Sequence, residues 1–259
     1  MIAHDATDAP SPRRLASVLR VPIDVLTPHQ AVDRISAWAS AGQGRVVVAC
    51  NAHSVVTASR DPTFMAVLSR ADLALPDGAP VAWMLRRQGA SGQARVAGPD
   101  LLHDYSGQAA GRGESVFLLG STPATLARLQ TRLCAHWPGL RIAGANSPPF
   151  RTLTAAEDAD IVNTINASGA GTVWVGLGCP EQERWMDAHC GRVQAVMVGV
   201  GAAFNFHAGT LARAPAWMRR NGLEWLHRWA QEPRRLGPRY ASTNRACILL
   251  ALRQWWRKP

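Results

Sequence analysis

An aspartate held between a proline and a glycine, in Leu75-Pro76-Asp77-Gly78, marks the place where an apolar run gives way to a turn. A carboxylate in that position can take a proton from a hydroxyl as a general base. It can equally cap the helix expected at 79–88, and the residues alone leave the two readings even. Asn51 stands in the same relation to the apolar run at 45–50. A second kind of chemistry is offered by Gly176-Leu177-Gly178-Cys179-Pro180, a glycine-rich turn that opens a helix. Such a turn presents backbone N–H groups and a positive dipole end to a diphosphate. As a dinucleotide fingerprint it fails, because Glu181 stands where the third glycine belongs and no acidic residue ends a following strand at the required distance. Gly199-Val200-Gly201 fails in the same way.

Other candidates are weaker. Asp158-Ala159-Asp160 matches the D-x-D string with which many sugar transferases hold a metal on a donor diphosphate, but it precedes Ile161-Val162 inside a helical pattern, where an exposed helix start explains it better. With no other carboxylate or histidine cluster at ligand spacing, a reaction without metal is expected. The five cysteines (Cys50, Cys134, Cys179, Cys190, Cys247) form no C-x-x-C pair, which argues against zinc and disulfide frameworks. Cys179, in its glycine-proline loop, is the one cysteine to weigh as a nucleophile, although burial as a small apolar side chain is the better reading. His53, His103 and His207 are isolated, and no triad order can be argued from them.

The elements that must position these residues alternate along the chain. Short β-branched runs at 21–25, 45–50, 72–76, 115–120, 140–144, 172–177 and 195–200 are separated by helical patterns. This predicts an α/β fold with a largely parallel, Rossmann-like sheet and helices on both faces. Several runs are apolar throughout, as strands covered on both sides are. In such sheets ligands bind beyond the carboxyl ends of the strands, where Asn51, Asp77 and the glycine turns fall. Helix starts agree: Thr27-Pro28-His29-Gln30 offers a cap, a first-turn proline and a capping-box glutamine, and Ser121-Thr122-Pro123 follows Gly120. Residues 1–15 are expected to be disordered, 16–209 to form the core and 210–259 a helical appendage. With 259 residues, 47% of them hydrophobic, the chain can bury a sizeable core. It carries no apolar stretch of spanning length and no secretory signal, so a cytoplasmic protein is expected.

The net charge of +10 is concentrated. From Arg213 onward eleven basic residues face only Glu224 and Glu232, so the last 47 residues carry +9 of it. Trp217, Trp225, Trp229, Trp255 and Trp256 are interleaved with those arginines. Helices of this composition suit an anionic membrane surface, where indoles sit at headgroup level. Packing against the core is the bland alternative. Nucleic acid ranks below both, because no binding motif for it accompanies the arginines.

Seven stretches, taken in order, resemble the WecG/TagA/CpsF family of bacterial inverting glycosyltransferases, also called glycosyltransferase family 26: NAHSVV at 51–56, LPDGAPVAW at 75–83, RVAGPDLL at 95–102, FLLGS at 117–121, VGLGCPEQERW at 175–185, GVGAAFNFHAGTLARAP at 199–215 and GLEWLHRWAQEPRR at 222–235. The resemblance implies transfer of a hexose or N-acetylhexosamine-type sugar from a UDP-sugar donor to a polyprenyl-diphosphate-linked acceptor, with inversion and without metal or other cofactor. It implies a place in cell-surface or exopolysaccharide synthesis, peripheral attachment to the inner face of the cell membrane through the appendage, and self-association as a homo-oligomer. Carried over position by position, Asp77 becomes the catalytic base. Asn51, Arg95, Gln182, Gly120, Gly176 and Gly178 join the substrate-binding set, Arg95 on a phosphate in place of a metal. Arg228 and Arg235 match basic positions that complete the site over the diphosphate.

The sequence departs from the family pattern at Ala49, where some members carry a hydroxyl, at Asn205, where many carry an aspartate, and at Gly237-Pro238, which interrupts the basic run. These bear on substrate identity. Two other classes remain to be weighed: a nucleotide-dependent oxidoreductase, against which the defective fingerprints argue, and a non-catalytic basic module for lipid or nucleic acid.

Overall fold

The computed structural model describes residues 13–256. The chain opens with an antiparallel pair, β1 (Leu15–Val18) and β2 (Val21–Asp24). Of the segment expected to be disordered, residues 1–12 lie outside the described part. Order begins before residue 16, because the Arg13 guanidinium grips buried Asp24 at 2.8 Å and Leu15 starts β1. Helix α1 (Pro28–Ser40) begins as expected, with the Thr27–Gln30 capping box closed in both directions.

The first βα unit of the main sheet is β3 (Val46–Cys50) with α2 (Ala52–Arg60) and α3 (Pro62–Arg70). Then follow β4 (Leu73–Pro76), α4 (Ala79–Arg86), α5 (Gly98–Arg112), β5 (Ser115–Gly120), α6 (Pro123–His136) and β6 (Arg141–Asn146). The core ends with α7 (Ala155–Ala167), β7 (Thr172–Gly176), α8 (Glu181–Ala188), β8 (Val196–Gly199) and α9 (Ala203–Ala208). The six strands β3 to β8 pair in parallel in the order β4-β3-β8-β7-β5-β6. The run at 21–25 is a strand too, but it belongs to the small antiparallel pair.

Both faces of this sheet are buried, which explains the unbroken apolar runs. Val46, Val48, Cys50, Ala74, Phe117 and Val173 point into one core; Val47, Leu73, Leu75, Val116, Leu118 and Trp174 point into the other. The period of two along each strand sends alternate side chains to opposite layers.

Three helices complete the fold: α10 (Ala216–Arg220), α11 (Glu224–Gln231) and α12 (Pro233–Trp256). The segment 210–259, expected as an appendage, is mostly helical over its described part, and α12 packs on the core. Helix α12 lies along α2, burying Leu236 and Cys247. Near its end Gln254 accepts from the Leu19 N–H at 2.9 Å and donates to the Ser17 carbonyl at 2.7 Å, tying the last helix to the first hairpin. Among the described residues no helix is long and apolar enough to cross a membrane.

Candidate active site

The carboxyl ends of the parallel strands converge on one edge of the sheet, and the residues after β3 and β4 lie side by side there. Cys50 pairs with Pro76, so Asn51 and Asp77 leave adjacent strands at the same level. Asn51 spends its side-chain oxygen on capping α2, accepting from the N–H groups of His53 at 2.9 Å and Ser54 at 3.2 Å. Its amide favours the ionised form of the neighbouring Asp77 carboxyl.

Asp77 is not a helix cap. The cap position of α4 is Gly78, which makes no side-chain capping bond, and at φ +83° it adopts a conformation that glycine tolerates and other residues resist. The chain turns on Gly78 and leaves Asp77 half-buried at the strand end, spent on no helix cap. Burial, and next the negative charge of Glu224, push its pKa up to about 6, against the pull of Arg95, the Asn51 amide and Arg228.

Arg95 is held next to this carboxylate because the following N–H, of Val96, donates to the Pro76 carbonyl at 2.9 Å. Its guanidinium meets Glu224, the first residue of α11, at 2.6 Å and approaches Asp100 at 3.8 Å. Arg213 binds Asp100 at 2.7 Å and comes within 3.6 Å of Glu224. Arg219 lies 3.6 Å from Asp100. Burial would raise the Asp100 pKa, yet the hydrogen bond from Arg213 and the charges of Arg213, Arg95 and Arg219 hold it below the usual carboxylate range. Arg228 packs over the Phe206 ring at 5.6 Å and faces Asp77. Three guanidiniums, of Arg95, Arg213 and Arg219, thus share two carboxylates near Asp77, and Arg228 lies close by. The Nε atoms of Arg213, Arg219 and Arg228 are buried with no hydrogen-bond partner among the described residues.

The glycine turns form the adjoining floor. Gly120 and Gly176 face each other across β5 and β7, where a side chain on Gly120 would strike the Gly176 backbone at 2.7 Å. Gly178, in contrast, has open space where a side chain would be. Gln182 is 3% exposed. Its oxygen accepts from the N–H groups of Gly178 at 3.2 Å and Gly201 at 3.1 Å, and its amide donates to Glu183 at 2.8 Å. Both of its polar ends are spent on shaping the two turns. Behind them Glu183 is 1% exposed, with one oxygen unpartnered among the described residues, and burial pushes its pKa up to about 7.

Of the residues singled out in the sequence, Asp77, Asn51, Arg95 and Arg228 therefore gather at one place, with Gly120, Gly176, Gly178 and Gln182 along the same sheet edge. Arg235 does not join them: it is exposed and pairs with Glu232 on the helical surface. Asp158 lies in α7 and is held by His189 at 2.8 Å, Arg192 at 3.2 Å and the Trp185 indole, away from the strand ends. Cys179 is half-buried with its sulfur 3.6 Å from the Ser54 hydroxyl. Sequence reasoning missed Glu224, Asp100, Arg213 and Arg219. Asp100 and Arg213 lie inside recognised stretches, RVAGPDLL and GTLARAP, but nothing in one dimension pairs them across 113 residues.

The residues so arranged span most of the chain, and a family model covers the same length: that of the Glycosyl transferase WecG/TagA/CpsF family matches residues 16–259.

Proposed function

The chain belongs to the WecG/TagA/CpsF family of glycosyl transferases, and from that premise we propose that it is an inverting enzyme that moves a hexose or N-acetylhexosamine from a UDP-sugar to a polyprenyl-diphosphate-linked saccharide. The observation that carries the mechanism is Asp77, free of any capping role, half-buried at the strand ends beside Asn51 and poised with a pKa of about 6. A base of that pKa is largely ionised near neutrality and still accepts a proton as charge develops.

In the proposed step Asp77 takes the proton of the acceptor hydroxyl while that oxygen forms a bond to the anomeric carbon. The bond from the anomeric carbon to the UDP β-phosphate oxygen breaks, and UDP leaves with the electron pair. Attack opposite the leaving group inverts the anomeric centre. Asn51 holds the Asp77 carboxylate in place through its amide. The growing charge on UDP is met by guanidiniums, for which Arg95, Arg213, Arg219 and Arg228 are the available set, with fixed forks that match phosphate oxygens. Gly178, with open space where a side chain would be, leaves room for a phosphate to lie against the backbone, its own N–H being held by Gln182. This electrostatic arrangement fits a reaction that draws on arginine in place of a divalent cation.

Helix α11 supports attachment to the inner face of the membrane. Its charged residues Glu224 and Arg228, one turn apart, turn inward to the site, while Trp225, Leu226 and Trp229 are exposed. Trp217 on α10 and Leu249 and Leu252 on α12 are exposed as well. Apolar side chains pointing outward beside exposed Arg220 and Arg234 match an anionic lipid surface. That placement would bring a lipid-linked acceptor to the cleft from the membrane side.

The test is a panel of UDP-sugars with a short-chain polyprenyl-diphosphate saccharide, with and without chelator, reading UDP release and product mass. One donor is expected to give a product heavier by one sugar residue in both conditions. Absence of UDP release and of UDP binding, with binding of a nicotinamide dinucleotide instead, would return the oxidoreductase reading.

A further inference from the structure

Of the two carboxylates that neutralise the arginine cluster, one is fixed and one rides on the C-terminal helices. Asp100 lies in the first turn of α5, within the core. Glu224 opens α11, and it reaches 129 residues back along the chain to place its carboxylate 2.6 Å from the Arg95 guanidinium. Both partners are largely shielded, at 20% and 16% side-chain exposure. A charge-assisted contact of this length in a shielded place is strong, and removal of the anion leaves the guanidinium in want of another. Carboxylate and phosphate accept the same arginine fork. The Nε of Arg219 has no hydrogen-bond partner among the described residues, and that of Arg213 only a long 3.6 Å approach to Glu224, so the cluster has more donors than these two carboxylates satisfy.

We propose that Glu224 is an internal stand-in for a substrate phosphoryl group: it occupies Arg95 until a nucleoside diphosphate takes that guanidinium over, and it withdraws with the start of α11. This rests on the reading of the cleft as the UDP-sugar site. No covalent bond changes; one ion pair is exchanged for another. In the empty enzyme the exchange partner keeps Arg95 and Arg213 from being uncompensated cations. Glu224 also faces Asp77, together with Arg95 and Arg228, and its charge favours the protonated form of that carboxyl. Its withdrawal on substrate binding therefore readies the base at the moment the donor is in place.

Titration calorimetry of the full chain and of Glu224→Gln with UDP and with inorganic pyrophosphate tests the exchange. The substituted amide keeps the shape of the side chain without the competing charge, so both ligands should bind at least about threefold tighter to the variant, an effect of the size of one partly exposed charged contact. Unchanged or weaker UDP binding by a variant that melts at the wild-type temperature overturns the stand-in role while leaving the UDP site intact. Failure of both proteins to bind either ligand overturns the UDP reading and the proposal together. Hydrogen exchange on the wild-type chain removes any dependence on the variant's folding. Saturating UDP should speed exchange in 222–231 while slowing it in 95–102, and slower exchange in both segments overturns the proposal.

Discussion

Asn51 and Asp77 leave neighbouring parallel strands at the same level, and the Asn51 amide favours the ionised Asp77 carboxyl while its oxygen caps α2. One side chain thus anchors a helix and bears on Asp77, the base we propose. Replacement of Asp77 by Asn should lower kcat by on the order of 10² to 10⁴, and it should not lower the melting temperature near pH 7.5, because a neutral amide is less costly there than a shielded carboxylate. Near-normal turnover by that variant would remove Asp77 from the chemistry.

The rate should depend on pH through that same group. Asp77 acts as a base only when ionised, so kcat/KM should rise with pH through a limb near 6. Glu224→Gln removes a negative neighbour and should move the limb to lower pH. Arg95→Gln removes a positive one and should move it higher, with UDP affinity falling by roughly tenfold or more. A limb that stays in place in both variants would mean that another group sets it.

Glu183 provides a stability test away from the reacting atoms. Its pKa is raised by burial from the ordinary 4.5 to about 7. The folded state therefore holds its proton more tightly than the unfolded chain, so its cost is absent below about pH 4.5, grows as pH rises through the window from 4.5 to 7, and is complete above it. Glu183→Gln should raise stability at pH 8 by on the order of 3 kcal/mol and change little at pH 4.5, as read from urea melts at the two pH values. A variant no more stable at pH 8 than the parent would show that the carboxylate has a partner the structure does not give it.

The outward face of α11 makes a separate claim. Trp225→Ala with Trp229→Ala should cut sedimentation with phosphatidylglycerol vesicles several-fold, with a stability loss confined to the packing of Trp225 on Tyr240, since each indole is 42% exposed. Retention of full vesicle binding would place the membrane contact elsewhere on the chain.

The sequence by itself determined the sheet and its binding edge. Unbroken apolar runs such as 45–50 and 115–120 required strands covered on both sides, and the Thr27 capping box and the Thr122-Pro123 start fixed two helices before any packing was known. It also placed Asp77 and Asn51 at strand ends, because what decides that is local. Only the tertiary structure relieved Asp77 of the capping role, through the turn at Gly78, and showed that Gln182 serves the Gly178 and Gly201 turns. Only it brought Arg95, Asp100, Arg213 and Glu224 together. Charge pairing acts over a few ångströms of space and leaves no periodic trace in the chain, so Glu224, one of two acidic exceptions in a basic tail, became, once folded, the anion on the arginine beside Asp77.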